Sequence, residues 1–129
     1  MDNRGLPHTL EHLIFTGSRN YPNRGYLDKL ATVCLSTGTN AYTSEDHTCY
    51  FVTTAGFDCL LELLPVYLDH ILYPTLLPED MALEVFSLNQ SGKEARGVVY
   101  CEMKSRENTE ADQMDLRLRN HAFRKAAAE

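Results

Sequence analysis

A leucine-rich segment from Phe57 to Leu72 constrains the fold of this 129-residue chain more than any other feature. Its leucines recur at helical spacing, which predicts an amphipathic helix that buries one face in a core. Pro65 lies inside the segment, and proline removes one backbone hydrogen bond and clashes with the preceding turn of a helix. We therefore expect the principal core helix here, kinked or divided near Pro65.

Two shorter amphipathic segments precede the leucine-rich one. The first, Leu6 to Thr16, has Pro7 in its first turn and Gly17 just past its end, which are typical start and stop signals of a helix. The second, Tyr26 to Thr37, is followed by Gly38, another stop signal. The sequence thus predicts two helices ahead of the core helix.

Extended structure is expected between the second helix and the core helix. The stretch Thr39 to Thr54 is rich in threonine, aromatic residues, valine and cysteine, and the polar residues Ser44 to Asp46 interrupt it, so a hairpin is predicted. Further along, a short helix is expected from about Glu79, and helical spacing of apolar residues extends over 95–123. Neither a linker nor an internal repeat is visible, so a single domain over residues 1–129 is expected.

Composition narrows the classes of protein to which the chain can belong. Hydrophobic residues make up 43%, enough for a core, and the formal net charge is −6 without a block of like charge. This balance argues against nucleic acid or an anionic membrane as partner, and no apolar run approaches the roughly 20 residues that span a bilayer. The first residues lack the apolar segment of a secretory signal, so an intracellular protein is expected. Reduced thiols rather than disulfides are predicted for Cys34, Cys49, Cys59 and Cys101.

The first predicted helix carries an H-x-x-E-H pattern formed by His8, Glu11 and His12. At about 100° per residue the two histidines lie one turn apart on one stripe, so both can reach one zinc ion, and Glu11 projects from nearly the same side. The apolar residues fall on the opposite side: Leu6, Leu10, Leu13 and Ile14. A catalytic zinc takes three protein ligands and keeps a fourth position for water, whose pKa falls to about 7. The pattern therefore requires a third ligand from elsewhere in the chain.

The pattern alone leaves an ordinary interpretation open. Two histidines and a glutamate also fall at these spacings in helices that bind no metal. The remaining histidines have no partner at metal-ligand spacing and are interpreted as ordinary core or surface residues: His47, His70 and His121.

Four ordered blocks extend the pattern over nearly the whole chain: Gly5 to Leu13, Ser36 to Thr43, His47 to Phe51 and Gly97 to Lys104. Together they resemble the pitrilysin family of zinc metallopeptidases, also called inverzincins, and the last block is most similar to the presequence-protease branch. The resemblance implies an α+β fold in which helices pack on one face of a mostly antiparallel sheet. Members are several times longer and the motif here begins at residue 8, so an incomplete, truncated pitrilysin-type N-terminal domain is expected.

The resemblance also implies roles for individual residues. Glu102 would complete the zinc site from a separate helix, so that one Zn²⁺ per chain is held by His8, His12 and Glu102, and Glu11 would act as general base. The valines one turn before Glu102, at positions 98 and 99, would shield that side of the metal. On spacing alone, Glu102 is indistinguishable from three other glutamates, which are typical of a solvated helix surface: Glu94, Glu107 and Glu110.

The second block resembles the edge strand that pairs with the substrate backbone in this family. Asn40, Ala41 and Thr43 are therefore candidates for substrate contact by strand addition. The alternative that stays open is that the Gly-Thr-Asn turn simply starts a strand.

The activity implied by the resemblance is hydrolysis of peptide bonds in unfolded or short peptides by zinc-activated water, without a covalent intermediate. Such a metalloendopeptidase would need the second half of the peptidase, or another chain, to close a chamber over its substrate. Two alternatives stay open: a truncated or catalytically inactive zinc-binding remnant, and an assembly subunit of the same family. The branch resemblance implies a cytoplasmic or mitochondrial matrix setting.

Overall fold

The computed structural model describes residues 5–44, 46–89, 92 and 94–126. In chain order the elements are α1 (Leu6–Ile14), α2 (Tyr26–Val33), β1 (Thr39–Thr43), β2 (Thr48–Val52), α3 (Phe57–Leu72), α4 (Pro78–Glu84), β3 (Ser87–Leu88), β4 (Ala95–Arg96), α5 (Val98–Arg106) and α6 (Glu110–Ala126). Both strand pairs, β1 with β2 and β3 with β4, are antiparallel. The predicted α+β class is confirmed. No helix in the described ranges combines the length and the apolar character that crossing a membrane requires.

The first helix forms where it was predicted, with a slightly earlier end. Gly5 precedes α1 with a left-handed φ of 67°, a conformation that glycine adopts without steric cost, and Pro7 lies in the first turn. The helix ends at Ile14, whereas the prediction ran to Thr16. The H-x-x-E-H pattern therefore occupies the middle of a regular helix.

The second helix ends at Val33, earlier than the predicted end at Thr37. Leu35 has a left-handed φ of 51°, which turns the chain out of the helix. The Ser36 N–H then donates to the Ala31 carbonyl at 2.9 Å, the long hydrogen bond of a Schellman ending. A leucine rather than a glycine occupies the left-handed position, so the sequence carries no glycine signal for the end of α2 at this point.

The core helix α3 continues without a break through Pro65. Of the two alternatives predicted there, a kink or a division, the division is wrong. Proline leaves the carbonyl of Leu61, four residues earlier, without its helical partner. Leu61 and Pro65 both lie on the exposed side of α3. Water can therefore bond that carbonyl, and the helix continues at a tolerable cost.

The buried side of α3 packs against α2, as expected for the principal core helix. The core cluster is Leu27, Ala31, Cys34, Leu63, Val66 and Tyr67. Burial raises the pKa of the Tyr67 phenol to about 12, with smaller contributions from Cys49 and Tyr50. The hairpin of β1 and β2 was also predicted, and α1 packs against it.

The C-terminal part departs from its prediction, because the single helical pattern over 95–123 is divided into β4, α5 and α6. Thr109 interrupts it between the two helices. The Asp112 N–H donates to Thr109 Oγ1 at 3.2 Å, so Thr109 acts as the N-cap of α6. The interruption is an S/T-x-x-D/E capping signal within a continuous helical periodicity.

A buried carboxylate connects the segment after α1 to α3. Asp69 accepts from Ser18 Oγ at 2.7 Å, from the Asn20 N–H at 3.0 Å and from Asn20 Nδ2 at 2.8 Å. The pKa of Asp69 is lowered, mainly by the hydrogen bond from Ser18. Burial opposes this shift, and the hydrogen bonds from Asn20 lower the pKa further. This contact fixes the C-terminal end of α1 relative to the core helix.

Candidate metal centre

The helix α1 presents His8 and His12 from one side, one turn apart. Their Nε2 atoms lie 3.3 Å from each other, and the two rings meet edge to face with centroids 4.9 Å apart. Their side chains are 21% and 20% exposed, so both can be reached from outside. On the other side of α1, Leu13 and Ile14 are buried.

The apolar side predicted for α1 is buried only in part. Leu13 and Ile14 are covered, whereas Leu6 and Leu10 remain exposed. The helical periodicity identifies which residues share a side, but it does not state how much of that side a neighbouring element covers.

Glu102 reaches the same point from α5. Its Oε2 lies 3.5 Å from His8 Nε2 and 3.4 Å from His12 Nε2. Two imidazole nitrogens and one carboxylate oxygen therefore form a nearly equilateral triangle. Residues 8 and 102 are far apart in the chain, so the packing of α5 against α1 brings the triangle together.

The size of the triangle fits zinc. Zinc binds imidazole nitrogen at about 2.0–2.1 Å and carboxylate oxygen at about 2.0–2.2 Å, so tetrahedral coordination separates neighbouring ligand atoms by about 3.3–3.5 Å. The three separations found here are 3.3, 3.4 and 3.5 Å. Two histidines and one glutamate are also a donor set that catalytic zinc sites use, with the fourth position open.

The other glutamates that spacing could not exclude have different surroundings. Glu107 pairs with Lys104 Nζ at 3.1 Å, and Glu94 with Arg96 Nη2 at 3.4 Å. Glu110 lies exposed in the first turn of α6. Of these four glutamates, Glu102 is the one whose carboxylate meets the two histidines.

Arg106 pairs with the second oxygen of the Glu102 carboxylate, a contact that was not predicted from the sequence. Its Nη2 lies 3.1 Å from Glu102 Oε1, so Oε2 is the oxygen left to face the histidines. The i,i+4 spacing of Glu102 and Arg106 on one helix was the available signal.

Glu11 lies beside the triangle in different surroundings. The residue is 9% exposed, and its Oε2 accepts a hydrogen bond from Thr43 Oγ1 at 2.5 Å. One Glu11 oxygen and one ring nitrogen from each of His8 and His12 all lie within 4.8 Å of one another. Glu11 is therefore near enough to exchange a proton with a water molecule in front of the histidines, while Thr43 fixes its carboxylate to β1.

The phenol of Tyr50 is close enough to Glu11 to be affected by its charge. Tyr50 on β2 has a raised pKa, mainly because it is partly buried and further because of the negative charge of Glu11. Phe15 packs edge to face on Tyr50 with ring centroids 5.9 Å apart. The Tyr50 phenol therefore keeps its proton at neutral pH.

The strand β1 has one side without a neighbouring strand among the residues described. Ser44, just past β1, donates its N–H across the hairpin at 2.8 Å. Hydrogen-bonded and non-bonded pairs alternate in an antiparallel ladder, so Asn40 and Tyr42 bond β2, whereas Ala41 and Thr43 turn their backbone groups to the open side. On the open side, the Ala41 N–H donates to the side-chain oxygen Oδ1 of Asn40 at 2.9 Å.

Among the residues that the structure describes, the histidines outside the pattern join no group of side chains that could hold a metal ion, although the Nε2 atom of His70 is buried without a hydrogen-bond partner. His70 is buried, and its Nδ1 lies 2.9 Å from the Val66 carbonyl. His47 Nδ1 lies 2.6 Å from Asp46, and His121 is exposed. The two valines one turn before Glu102 differ in exposure: residue 99 is buried, and residue 98 is half exposed.

Gly97 determines how α5 approaches the rest of the molecule. Its φ is 132°, and a Cβ added there would lie 2.3 Å from the Val85 carbonyl oxygen. The Tyr100 N–H donates to the same carbonyl at 3.2 Å. This close approach sets the position of α5 and, through it, the position of Glu102.

We expect Gly97→Ala to lower the free energy of unfolding by about 3 kcal/mol or more, since it combines backbone strain with a clash against another backbone. Displacement of α5 should also weaken zinc binding. Thermal unfolding and zinc titration measure the two effects. Gly38→Ala is the matched control, because Gly38 has a φ of 100° with open space around its Cβ. Equal stability losses in the two variants, with unchanged zinc affinity, would contradict this role of Gly97.

Comparison with known proteins gives a consistent result. A family model described as insulinase, peptidase family M16, matches residues 1–128. The chain is 50% identical over 111 residues to an uncharacterized protein of Caenorhabditis elegans, which covers 86% of this chain and 11% of the relative. It is 36% identical over 111 residues to the mitochondrial presequence protease of Xenopus tropicalis, covering 81% of this chain and 11% of the relative. The corresponding protein of Gibberella zeae is 33% identical over 132 residues, covering 95% and 13%.

The chain therefore spans about a tenth of the length of the curated relatives it matches. The family match extends over nearly all of its residues, including α1 and α5. The match confirms the family resemblance that was predicted from the H-x-x-E-H pattern and the later sequence blocks. This chain belongs to the insulinase family of peptidases, peptidase family M16.

Proposed function

We propose that this chain is the zinc-binding part of a metalloendopeptidase. The observation that carries the proposal is the triangle of His8 Nε2, His12 Nε2 and Glu102 Oε2, with sides of 3.3 to 3.5 Å. These three residues would hold one zinc ion. When bound, zinc supplies a Lewis acid that polarises a peptide carbonyl and a water molecule.

Glu11 is the general base in this proposal. Its carboxylate takes a proton from the attacking water and later delivers one to the leaving amine, so no covalent intermediate is needed. Its distance from the histidines and its near-complete burial support this role. A buried carboxylate has few water molecules competing for its lone pairs, so it can act on a water molecule held at one place.

An extended peptide is the substrate class that the open side of β1 supports. Ala41 and Thr43 present backbone donors and acceptors there, and a peptide could pair with them as an added strand. The incoming strand would replace Asn40 Oδ1 as the partner of the Ala41 N–H. Backbone pairing of this kind requires an unfolded or short peptide, because a folded one has its backbone groups already bonded.

Further polypeptide would complete the enzyme. The two histidine side chains are about one fifth exposed, and the Glu102 side chain is 32% exposed. Exclusion of bulk water strengthens the electrostatic interactions on which such catalysis depends. We propose that a second half or another chain closes over this site. The proposed setting is the mitochondrial matrix or the cytoplasm, and the names of the presequence-protease relatives, which are mitochondrial, favour a mitochondrial one.

Zinc stoichiometry tests the proposal. We expect one zinc per purified chain by elemental analysis, and its loss in Glu102→Ala. Glu107→Ala is the matched control, since Glu107 lies just past α5 and pairs with Lys104. Zinc retained in Glu102→Ala would remove Glu102 from the ligand set.

Hydrolysis of a fluorescence-quenched, unstructured peptide by the zinc-loaded protein, with the closing polypeptide present, is the second measurement. Cleavage that stops when a chelator removes zinc supports the peptidase. Tight zinc binding without cleavage would favour the catalytically inactive remnant or the assembly subunit instead.

A further inference from the structure

Two threonine hydroxyls lie in line behind the Glu11 carboxylate. Thr43 Oγ1 is 2.5 Å from Glu11 Oε2, and Thr48 Oγ1 is 3.0 Å from Thr43 Oγ1. Thr43 and Thr48 are directly opposite each other across the hairpin, in a pair without backbone hydrogen bonds. Side chains approach most closely in such pairs, so the hairpin register itself brings the two hydroxyls together.

The number of protons fixes the direction of these bonds. Thr43 has one hydroxyl proton, and an ionised carboxylate can only accept, so Thr43 donates to Glu11. The remaining capacity of the Thr43 oxygen is to accept, and Thr48 is therefore the donor to Thr43. Each bond polarises the next toward the carboxylate, which strengthens the bond to Glu11.

The Thr43 side chain is directed away from the substrate edge. Residues 39, 41 and 43 of β1 are the partly buried ones, and residues 40 and 42 are exposed. The hydroxyl of Thr43 accordingly meets α1, while its backbone groups face the open side of the strand. One residue can thus contact Glu11 through its side chain and remain available to a peptide through its backbone.

We propose that Thr43, supported by Thr48, is a positioning residue for Glu11; the proposal rests on the function proposed above, in which Glu11 is the base. A glutamate side chain has three rotatable bonds, and a general base must hold its oxygen within hydrogen-bond reach of one water molecule. The Thr43 bond fixes Oε2 on the hairpin side. Oε1 is then the oxygen free to act.

Thr43→Val removes the hydroxyl and nearly preserves the shape of the side chain. We expect kcat for the quenched peptide to fall about 10- to 100-fold, because a misplaced base loses rate on that scale, with KM and zinc content unchanged. Thr43→Ser should restore most of the rate. Thr48→Val, which leaves the Thr43 bond in place, should lower kcat only a few-fold.

Thr39→Val is the matched control. Thr39 lies on the same strand and the same side as Thr43, and its hydroxyl donates to Asp28 Oδ1 at 3.2 Å instead of to Glu11. Its kcat should equal that of the unmodified protein. A fall in kcat of the same size in Thr39→Val and Thr43→Val, or a raised KM with unchanged kcat in Thr43→Val, would overturn the positioning role.

A second readout separates this proposal from the peptidase itself. Carbon-13 relaxation of the Glu11 side chain, assigned with Glu11→Gln, reports its mobility whether or not the protein cleaves peptides. Mobility that rises in Thr43→Val and not in Thr39→Val supports positioning, and unchanged mobility in Thr43→Val overturns it. Absence of cleavage in the unmodified, zinc-loaded protein would instead count against the proposed function.

Discussion

Glu11→Gln is expected to lower the rate of peptide hydrolysis by about 10²- to 10⁴-fold while zinc stays bound, since general-base assistance contributes on that scale. Glutamine has the size of glutamate, and its amide oxygen can still accept the Thr43 hydroxyl, so the side chain should keep its place. What it loses is the ability to take a proton. The change therefore removes the chemistry with little effect on the structure around it.

The measurement pairs turnover of the quenched peptide with zinc content of the same preparation. Glu62→Gln is the matched control, because it makes the same chemical change at an exposed position of α3. Unchanged turnover in zinc-loaded Glu11→Gln would remove Glu11 from the role of base. Loss of zinc would have a different meaning, because one Glu11 oxygen lies within 4.8 Å of the histidine nitrogens, and Glu11 would then be a ligand.

The half of the site carried by α1 could be predicted from sequence. A helix fixes the directions of side chains three and four residues apart, so the order of His8, Glu11 and His12 already states that they share a side. Nothing distant has to be known for that inference. In the structure the two histidines do share a side, with their Nε2 atoms 3.3 Å apart.

Glu102 could not be predicted from spacing, because it meets the histidines through the packing of α5 and not through any local repeat. Family resemblance singled it out. Two contacts place its carboxylate. Gly97 lets the chain pass against the distant Val85 carbonyl, and Arg106, one turn along the same helix, occupies the other carboxylate oxygen. Neither contact has a pattern that a single sequence separates from an ordinary glycine or an ordinary surface ion pair.

Two predictions about the helices were wrong, the division of α3 and the end of α2, because each relied on the usual preference of one type of residue. Pro65 normally interrupts a helix, but here its unpaired carbonyl is on the exposed side and α3 continues. Leu35 ends α2 in a conformation that usually requires glycine. Water can bond the freed carbonyl before Pro65, and the hydrogen bonds that close α2 hold Leu35 in place, so in both cases the surroundings outweigh the preference of one residue.

The side chain of Thr43 illustrates how two roles of a strand residue separate only in three dimensions. Resemblance assigned it to substrate contact, and alternation along β1 allows either side. The backbone faces the open side of the strand, whereas the hydroxyl bonds Glu11. The link between Glu11 and the hairpin thus follows from the register of β1 with β2, which cannot be read from the sequence.

His12→Ala should weaken zinc binding by more than about 100-fold, because even the loss of a residue that only supports a ligand costs 10- to 100-fold. His12 Nε2 lies 3.3 Å from His8 Nε2 and 3.4 Å from Glu102 Oε2, so its removal leaves two ligands that hold the metal from one side. Competition with a chelator of known affinity measures the change. His47→Ala, an exposed histidine bonded to Asp46, is the matched control.

Thermal unfolding separates loss of the metal from damage to the fold. His12 faces His8 and Glu102 and is not part of the core cluster, and α1 stays anchored through Leu13 and Ile14. The metal-free variant should therefore unfold like the metal-free unmodified protein. Zinc at 100 times its dissociation constant stabilises a folded protein by about 2.7 kcal/mol. The same concentration should stabilise a variant with 100-fold weaker binding by only about 0.4 kcal/mol. If zinc raised the unfolding temperature equally in both proteins, the ion would be bound somewhere other than this triangle.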